Sequence, residues 1–274
     1  MVDAQDKSLS RTRPWIGFSF SVPIAVLGGL IGLGGAEYRL PVLRGPMRYS
    51  AKQAVPANLA LSLVTLAASL ATREGSLHLI SLDLLVSTVL PLAVGAVIAA
   101  FFGTSLVKRL SERRLDQVIL VLLAAIGIAL IVEGFFPANG FGVVPDVLLW
   151  LFLTGILFGL AIGVYSSVLG VAGGELIIPT LIFVYGIDVK VAGTASLVVS
   201  LPTVAVGLAR YARQGAFVQR EVFGETIVPM GIGSVIGAIA GGLLVGLLPS
   251  SILKVVLGIV LIVSAIRIFV VARG

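Results

Sequence analysis

The chain contains no cysteine and a single histidine, His78. The first absence excludes a disulfide framework and a thiolate site, and the second leaves too few imidazoles for a His-based metal site. Charge is scarce too: Asp, Glu, Lys and Arg make up 12% of the residues, where an ordinary globular protein has about 25%. No P-loop occurs, so no nucleotide is expected to power the protein. Neither a paired acid/base set, a nucleophile constellation nor a metal cluster stands out. No enzyme activity, cofactor or bound metal is therefore expected.

What is present is apolar sequence. Hydrophobic residues make up 58% of the chain, and the mean hydropathy is +1.14. Apolar runs reach about 20 residues, the length needed to cross a ~30 Å hydrocarbon core. A soluble core of this composition would leave too little polar surface, so the class is an integral membrane protein. The net charge of +6 reads as basic residues gathered in cytoplasmic loops rather than as a nucleic-acid surface. The first apolar run, residues 15–33, follows Lys7, Arg11 and Arg13 and mimics a signal peptide. It is too long for a typical signal core and reads as a retained span.

Residues 1–13 read as a short polar tail. Five apolar segments follow, at 15–33, about 35–49, 51–72, 77–107 and 115–136. A stretch with Asn139, Gly140, Gly142 and Pro145 then separates the halves, giving a first repeat at 1–138 and a second at 139–274 within one membrane domain. The second half repeats the plan, at 147–169, 173–185, 189–211, 217–247 and 252–271. At a constant offset of 138 positions (32 and 170), Lys52 pairs with Lys190, Ala54 with Ala192, Pro91 with Pro229 and Gly95 with Gly233. Shared Pro, Gly and Lys at one ungapped offset indicate an internal duplication.

Basic residues set the orientation. Lys7, Arg11 and Arg13 precede segment one, and Arg44, Arg48 and Lys52 lie between two and three. Lys108, Arg109, Arg113 and Arg114 lie between four and five, and Arg210, Arg213 and Arg220 between eight and nine; Arg267 and Arg273 end the chain. Most of the 19 Lys and Arg thus fall on alternate connections, hence on one side of ten crossings, and that side is cytoplasmic by the positive-inside rule. Both termini are then cytoplasmic. Each half has an odd number of segments, so the two copies are inverted, the architecture of secondary transporters with sites at the repeat interface. The expected fold is all-α: about ten transmembrane segments in two inverted five-segment repeats.

Two glycine clusters interrupt the apolar runs, Gly32-Leu33-Gly34-Gly35-Ala36-Glu37-Tyr38-Arg39-Leu40-Pro41 and Gly170-Val171-Ala172-Gly173-Gly174-Glu175-Leu176-Ile177-Ile178-Pro179. Segments two and seven, which start there, are short: about 13–15 residues make ~20–22 Å of helix, less than the ~30 Å of the core. Non-helical backbone therefore lies at membrane depth, where it is tolerated only if buried in protein or lining a cavity. Glycine permits such a turn and close approach of a ligand, and a helix starting after the turn offers free N–H groups to an anion. The bland alternative is close helix packing through small residues, the reading given to Gly28, Gly29, Gly155, Gly159 and Gly163.

The candidate substrate contacts are Gly34, Gly35, Ala36, Glu37, Arg39, Asn58, Gly173, Gly174, Glu175, Thr194 and Ser196. Ionisable groups inside a membrane are functional candidates by default. Arg39 either binds an anion through its forked guanidinium or neutralises Glu37 or Glu175. The glutamates either couple a proton to transport or link neighbouring helices. Hydroxyls such as Ser62, Thr65, Ser200 and Thr203 either meet a ligand or bond their own backbone. Lys52 and Lys190 either snorkel or contact an anion at the mouth of the pathway. Pro91 and Pro229, in the two longest segments, are hinges or static kinks.

The doubled Gly-x-Gly-Gly-Gly-x-Leu-x-x-Pro pattern, carried by the two clusters above, resembles that of the TauE/SafE sulfite exporter family. Lys190-Val191-Ala192-Gly193-Thr194-Ala195-Ser196-Leu197 is similar to the family's second-repeat pattern. Ala36 and Ala172 each replace a motif glycine, and Tyr38 and Arg39 stand where the family is usually aliphatic. The resemblance covers nearly the whole chain and implies a small inner-membrane transporter of sulfite, sulfoacetate, thiosulfate or a related anion. The expected function is secondary transport of such an anion, outward, between the two glycine breaks near the midplane. The alternatives are a cation or metal permease using Glu37 and Glu175, or a passive anion channel. The expected partners are the small anion, a coupled proton, the lipid bilayer and a second copy of the chain in a homodimer; nucleic acid is not among them.

Overall fold

The computed structural model describes residues 2–73, 78, 80–106, 112–135, 142–213 and 223–271, with backbone alone at 2–12, 51–52, 103–106, 112–120, 122, 168–169, 223, 225 and 267–271. Among the described residues the chain is helical and has no strand. In order come α1 (Val2–Ile31), α2 (Ala36–Arg44), α3 (Ala51–Thr72) and α4, which joins Leu82–Leu84, a π turn Leu85–Val89 and Leu90–Leu106. Then come α5 (Glu112–Phe135), α6 (Leu148–Leu169), α7 (Gly174–Pro179, extended by the π turn Thr180–Val184) and α8 (Val189–Arg213). Last are α9, a π turn Phe223–Ile227 continuing into Val228–Leu247, and α10 (Ser250–Val271).

Local chemistry explains the boundaries. α3 starts where Ser50 and Gln53 form a capping box, each satisfying the other's free N–H. The π turns of α4 and α9 end two residues before Pro91 and Pro229. A proline lacks an N–H and its ring clashes with the carbonyl four residues back, and a one-residue widening of the preceding turn absorbs the mismatch. The N-terminal tail departs from expectation: it is helical and continuous with the first span. Its Ala, Gln, Lys and Arg are good helix formers and no glycine intervenes. The expected boundary between halves, between 138 and 139, and the expected start of segment nine, at 217, lie outside the described residues.

Among the described residues six helical stretches are long and apolar enough to cross a membrane: Arg13–Ile31, Gln53–Thr72, Leu82–Phe102, Leu148–Ser167, Val189–Arg213 and Val228–Leu247. Large apolar side chains on their outer faces are exposed, among them Trp15 at 75%, Leu82 at 79% and Phe102 at 63%. Such a surface suits lipid rather than water.

The helices pair across the middle of the chain. α1 lies along α9 and α6 along α4; α3 packs on both α8 and α9, α8 also on α4, and α5 on α10. Small residues set these approaches. A Cβ on Gly29 would stand 2.6 Å from Ala238 O, and one on Gly127 2.8 Å from Gly258 O. Gly28, Gly155, Gly159 and Gly163 likewise press against neighbouring backbone or Pro91, so these glycines let helices touch. Glu133 and Lys254 join α5 to α10 by a 2.7 Å salt bridge.

Candidate functional site

The helices break at the two glycine clusters. α1 ends at Ile31; Gly32, Gly34 and Gly35 then take φ of +99°, +80° and +71°, and α2 starts at Ala36. α6 ends at Leu169, Gly170 and Gly173 take +66° and +78°, and α7 starts at Gly174. A β-carbon is costly in this left-handed region, so only glycine reverses the chain here without strain.

The two breaks meet in the interior. A Cβ on Gly174 would lie 3.0 Å from Leu33 Cα and 3.3 Å from Gly32 O, and one on Gly34 3.5 Å from Ala172 Cβ. Two hydrogen bonds cross between the halves. Asn58 Nδ2, on α3, donates to Gly170 O at 3.1 Å, and Ser196 Oγ, on α8, donates to Gly32 O at 3.1 Å. Each pair of residues is the counterpart of the other at the offset of 138. Asn58 Nδ2 also donates to Ala36 O at 3.1 Å. Both side chains are fully buried, and both hold the glycine carbonyls of the opposite half.

Arg39, on α2, is completely buried. It donates to Ser62 Oγ at 3.3 Å, Thr65 Oγ1 at 2.9 Å and Gly34 O at 3.3 Å. Its Nε has no partner among the described residues. Residues two apart on a helix do not face each other, so Arg39 makes no hydrogen bond to Glu37. Arg39 sits in a cluster of hydroxyls and a break carbonyl, near enough to Glu37 for the two charges to interact without a hydrogen bond. Ser62 and Thr65 also donate to the α3 backbone, to Asn58 O and Leu61 O, so their oxygens are positioned to accept.

The carboxyls of Glu37 and Glu175 lie close enough to each other to interact. Glu37 Oε1 and Oε2 are inaccessible and meet no donor among the described residues. Tyr165 on α6, fully enclosed, donates to Glu175 Oε2 at 3.2 Å. Tyr38 points elsewhere and fastens α2 to α10, donating to Val260 O at 2.7 Å.

Thr194 accepts from Arg73 Nη1 at 3.2 Å. Arg73 is 1% exposed and also donates to Gly29 O at 2.6 Å and Leu30 O at 2.7 Å, closing the C-terminal end of α1. Lys190 is half-buried at the start of α8, where its N–H donates to Asp188 Oδ1 at 2.8 Å; the Lys52 side chain lies outside the described ones. Pro91 and Pro229 sit at the π turns, away from the breaks. Sequence reading passed over Arg73 and Tyr165. Arg73 looks like a membrane-edge charge, and only its reach to the end of α1 and to Thr194 buries it. Tyr165 had a signal, as a polar ring between one and two helical turns before the second break.

Among the described residues no group of three or more His, Asp or Glu could hold a metal ion. No curated protein and no solved structure matched the chain. A family model does match, in two stretches that cover both glycine breaks: the sulfite exporter TauE/SafE model, over residues 3–130 and 153–274. With six membrane-length helices among the described residues, the chain is a multi-pass membrane protein and belongs to the sulfite exporter TauE/SafE family.

Proposed function

We propose that the protein is a secondary transporter that exports a small sulfur-containing anion, such as sulfite, sulfoacetate or thiosulfate, held between the two glycine breaks. The observation that carries this reading is the meeting of the breaks beside a fully buried guanidinium, Arg39, whose Nε is unpartnered. A buried cation hydrogen-bonded only to neutral groups favours an anion nearby. The first N–H groups of α2 and α7 add partial positive charge at the same place. The family description points to the same substrate class.

The architecture we propose is ten segments in two inverted repeats, residues 1–138 and 139–274, with both termini cytoplasmic in an inner membrane. The reciprocal packing of α1 on α9 and α6 on α4 supports it, as do the crossed bonds of Asn58 and Ser196. In this arrangement Gly34, Gly35, Ala36, Gly173 and Gly174 present backbone to the anion, while Asn58 and Ser196 hold the breaks in register. The Glu37–Glu175 pair carries the coupled proton.

The test is flux of labelled sulfite, sulfoacetate and thiosulfate in liposomes. Leucine at Gly35 or Gly173 meets Ile24 Cγ2 at 2.8 Å or Ile162 Cγ2 at 3.1 Å on a left-handed backbone, and either change is expected to abolish flux. Unchanged flux in both variants would remove the proposal. Counter-transport separates a carrier from a passive channel. The partnerless Glu37 oxygens favour a second reading, a cation permease. Cation-dependent flux that is lost in Glu37→Gln and Glu175→Gln and indifferent to anions would establish it instead.

A further inference from the structure

One side of the breaks contains a cavity. It has a volume of about 120 Å³, reaches Gly170 of the second break and is lined by Ser166, Ser167, Thr203, Arg210 and Tyr211 among others. Ser166 and Thr203 are almost fully buried. Among the described residues that line the cavity none is a carboxylate, and one is charged, Arg210, whose guanidinium also donates to Ala100 O at 2.9 Å. The space is several times the ~10–15 Å³ that a single water requires, enough for an anion of a few heavy atoms. Hydroxyls and a guanidinium, with no carboxylate among the described lining residues, suit an oxyanion better than a cation.

The same region of the first half is filled. At the offset of 138, Thr203 corresponds to Thr65, Gly207 to Ser69, Val204 to Leu66 and Tyr211 to Arg73. Thr65 is covered by the Arg39 guanidinium, whose counterpart in the second half is Ile177. Ser69 donates to Thr65 O at 2.7 Å and is fully buried. Arg73 spans the remaining space, bonded to Gly29 O, Leu30 O and Thr194. Larger side chains and two guanidiniums therefore occupy on one side what is open on the other.

We propose that the cavity is the access site through which a small oxyanion reaches the breaks from the Arg210 face, and that Arg73 plugs the matching access site on the opposite face. This rests on the transport reading above and adds the route and its closure. The structure is then the state open to the Arg210 face, cytoplasmic in the orientation given above. Passage of the anion outward requires Arg73 to leave the Gly29 and Leu30 carbonyls.

The natural absence of cysteine gives a direct test, because one introduced cysteine is the only thiol. A Cβ at Gly207 meets nothing closer than Leu59 Cδ1 at 3.8 Å, so Gly207→Cys places a thiol in the cavity without strain. Ser69→Cys is its counterpart. The full chain in oriented vesicles is treated with a charged, membrane-impermeant methanethiosulfonate from either face. Sulfoacetate is the protecting anion, since sulfite itself consumes the reagent. Gly207→Cys is expected to react from the Arg210 face only, and at an anion concentration about ten times its dissociation constant the rate falls about tenfold by mass action. Ser69→Cys is expected to stay unreactive from both faces, and to become reactive from the opposite face when Arg73→Ala or the milder Arg73→Lys is added.

An unreactive Gly207→Cys, labelling from the wrong face, absence of anion protection, or an already reactive Ser69→Cys beside native Arg73 would each overturn the inference. The Gly207 arm needs no Arg73 variant, so misfolding there does not shield it. Absent liposome flux with the labelling pattern intact removes the transport reading and leaves an anion site with sided access. Flux with an unreactive Gly207→Cys removes the access site alone.

Discussion

Replacing Gly32 by alanine tests how tightly the breaks are built. Gly32 has φ +99°, where an L-residue pays about 1–2 kcal/mol. The added Cβ also falls on the Gly193 backbone, 2.8 Å from its carbonyl carbon and 2.9 Å from its Cα. Neither atom belongs to a flexible side chain, so α1 and α8 must separate, an overpacking cost of about 1–3 kcal/mol. The sum is about 2–5 kcal/mol, and at ~2–4 °C per kcal/mol for a chain of this size the melting midpoint drops by about 4–20 °C. The control is Gly231→Ala in α9, whose Cβ meets only Leu61 Cδ2, at 4.0 Å, and which gains about 0.5–1 kcal/mol of helix propensity. Thermal unfolding in one detergent, followed by size-exclusion recovery, reads both. A Gly32→Ala protein that melts with or above the wild type would refute the close contact of the first break with α8.

Asn58→Ala removes the donor to both Gly170 and Ala36 and leaves two buried carbonyls unmet, at a cost of about 1–3 kcal/mol. Ser196→Ala, losing one bond, costs nearer the ~0.6 kcal/mol average for membrane hydrogen bonds; both are read as melting shifts, and a larger effect for Ser196 would contradict the assignment. Lys254→Met strands Glu133 in a partly buried site and is expected to cost about 3–5 kcal/mol, while the double change with Glu133→Leu recovers most of it. A double variant no better than the single would contradict this. In flux assays across a pH gradient, Glu175→Gln is expected to uncouple anion movement from the gradient, since a carboxamide cannot release a proton; retained coupling would exclude the carboxyl pair as carrier.

The helices were largely legible. The bounds of α3, Ala51–Thr72, coincide with the apolar segment, because its start carries a capping box and its end meets a charge. The polar tail was not, because hydropathy measures partition into lipid and says nothing of helix propensity. The breaks were legible as glycines at an offset of 138, and their meeting was not, since it depends on Asn58 and Ser196 reaching between halves. The constant offset also fails late in the chain. Gly127 packs on Gly258 and Ile262, while Gly258 packs on Gly127 and Ile131. Those partners lie 131 apart (127 and 258), so the second half has seven fewer residues between Pro229 and Gly258 than the first has between Pro91 and Gly127. The fate of Arg39 was not legible: the sequence left anion binding and neutralisation of a glutamate level, and only the folded chain brings Ser62 and Thr65 to it.

The crossed hydrogen bonds also set an order of events during synthesis. Asn58 and Gly170 are 112 residues apart, and Ser196 and Gly32 are 164 apart. At about 5–20 residues per second the ribosome needs roughly 6–22 s to make the partner of Asn58 after Asn58 itself. For that interval the first break lacks its α8 partner and a carboxamide waits beside lipid without the carbonyl it will hold. The first half therefore cannot finish alone; it matures when the eighth segment inserts. A truncated chain that stops before Ser196 is an orphan for the membrane's proteases, and two half-chains made together should rescue each other.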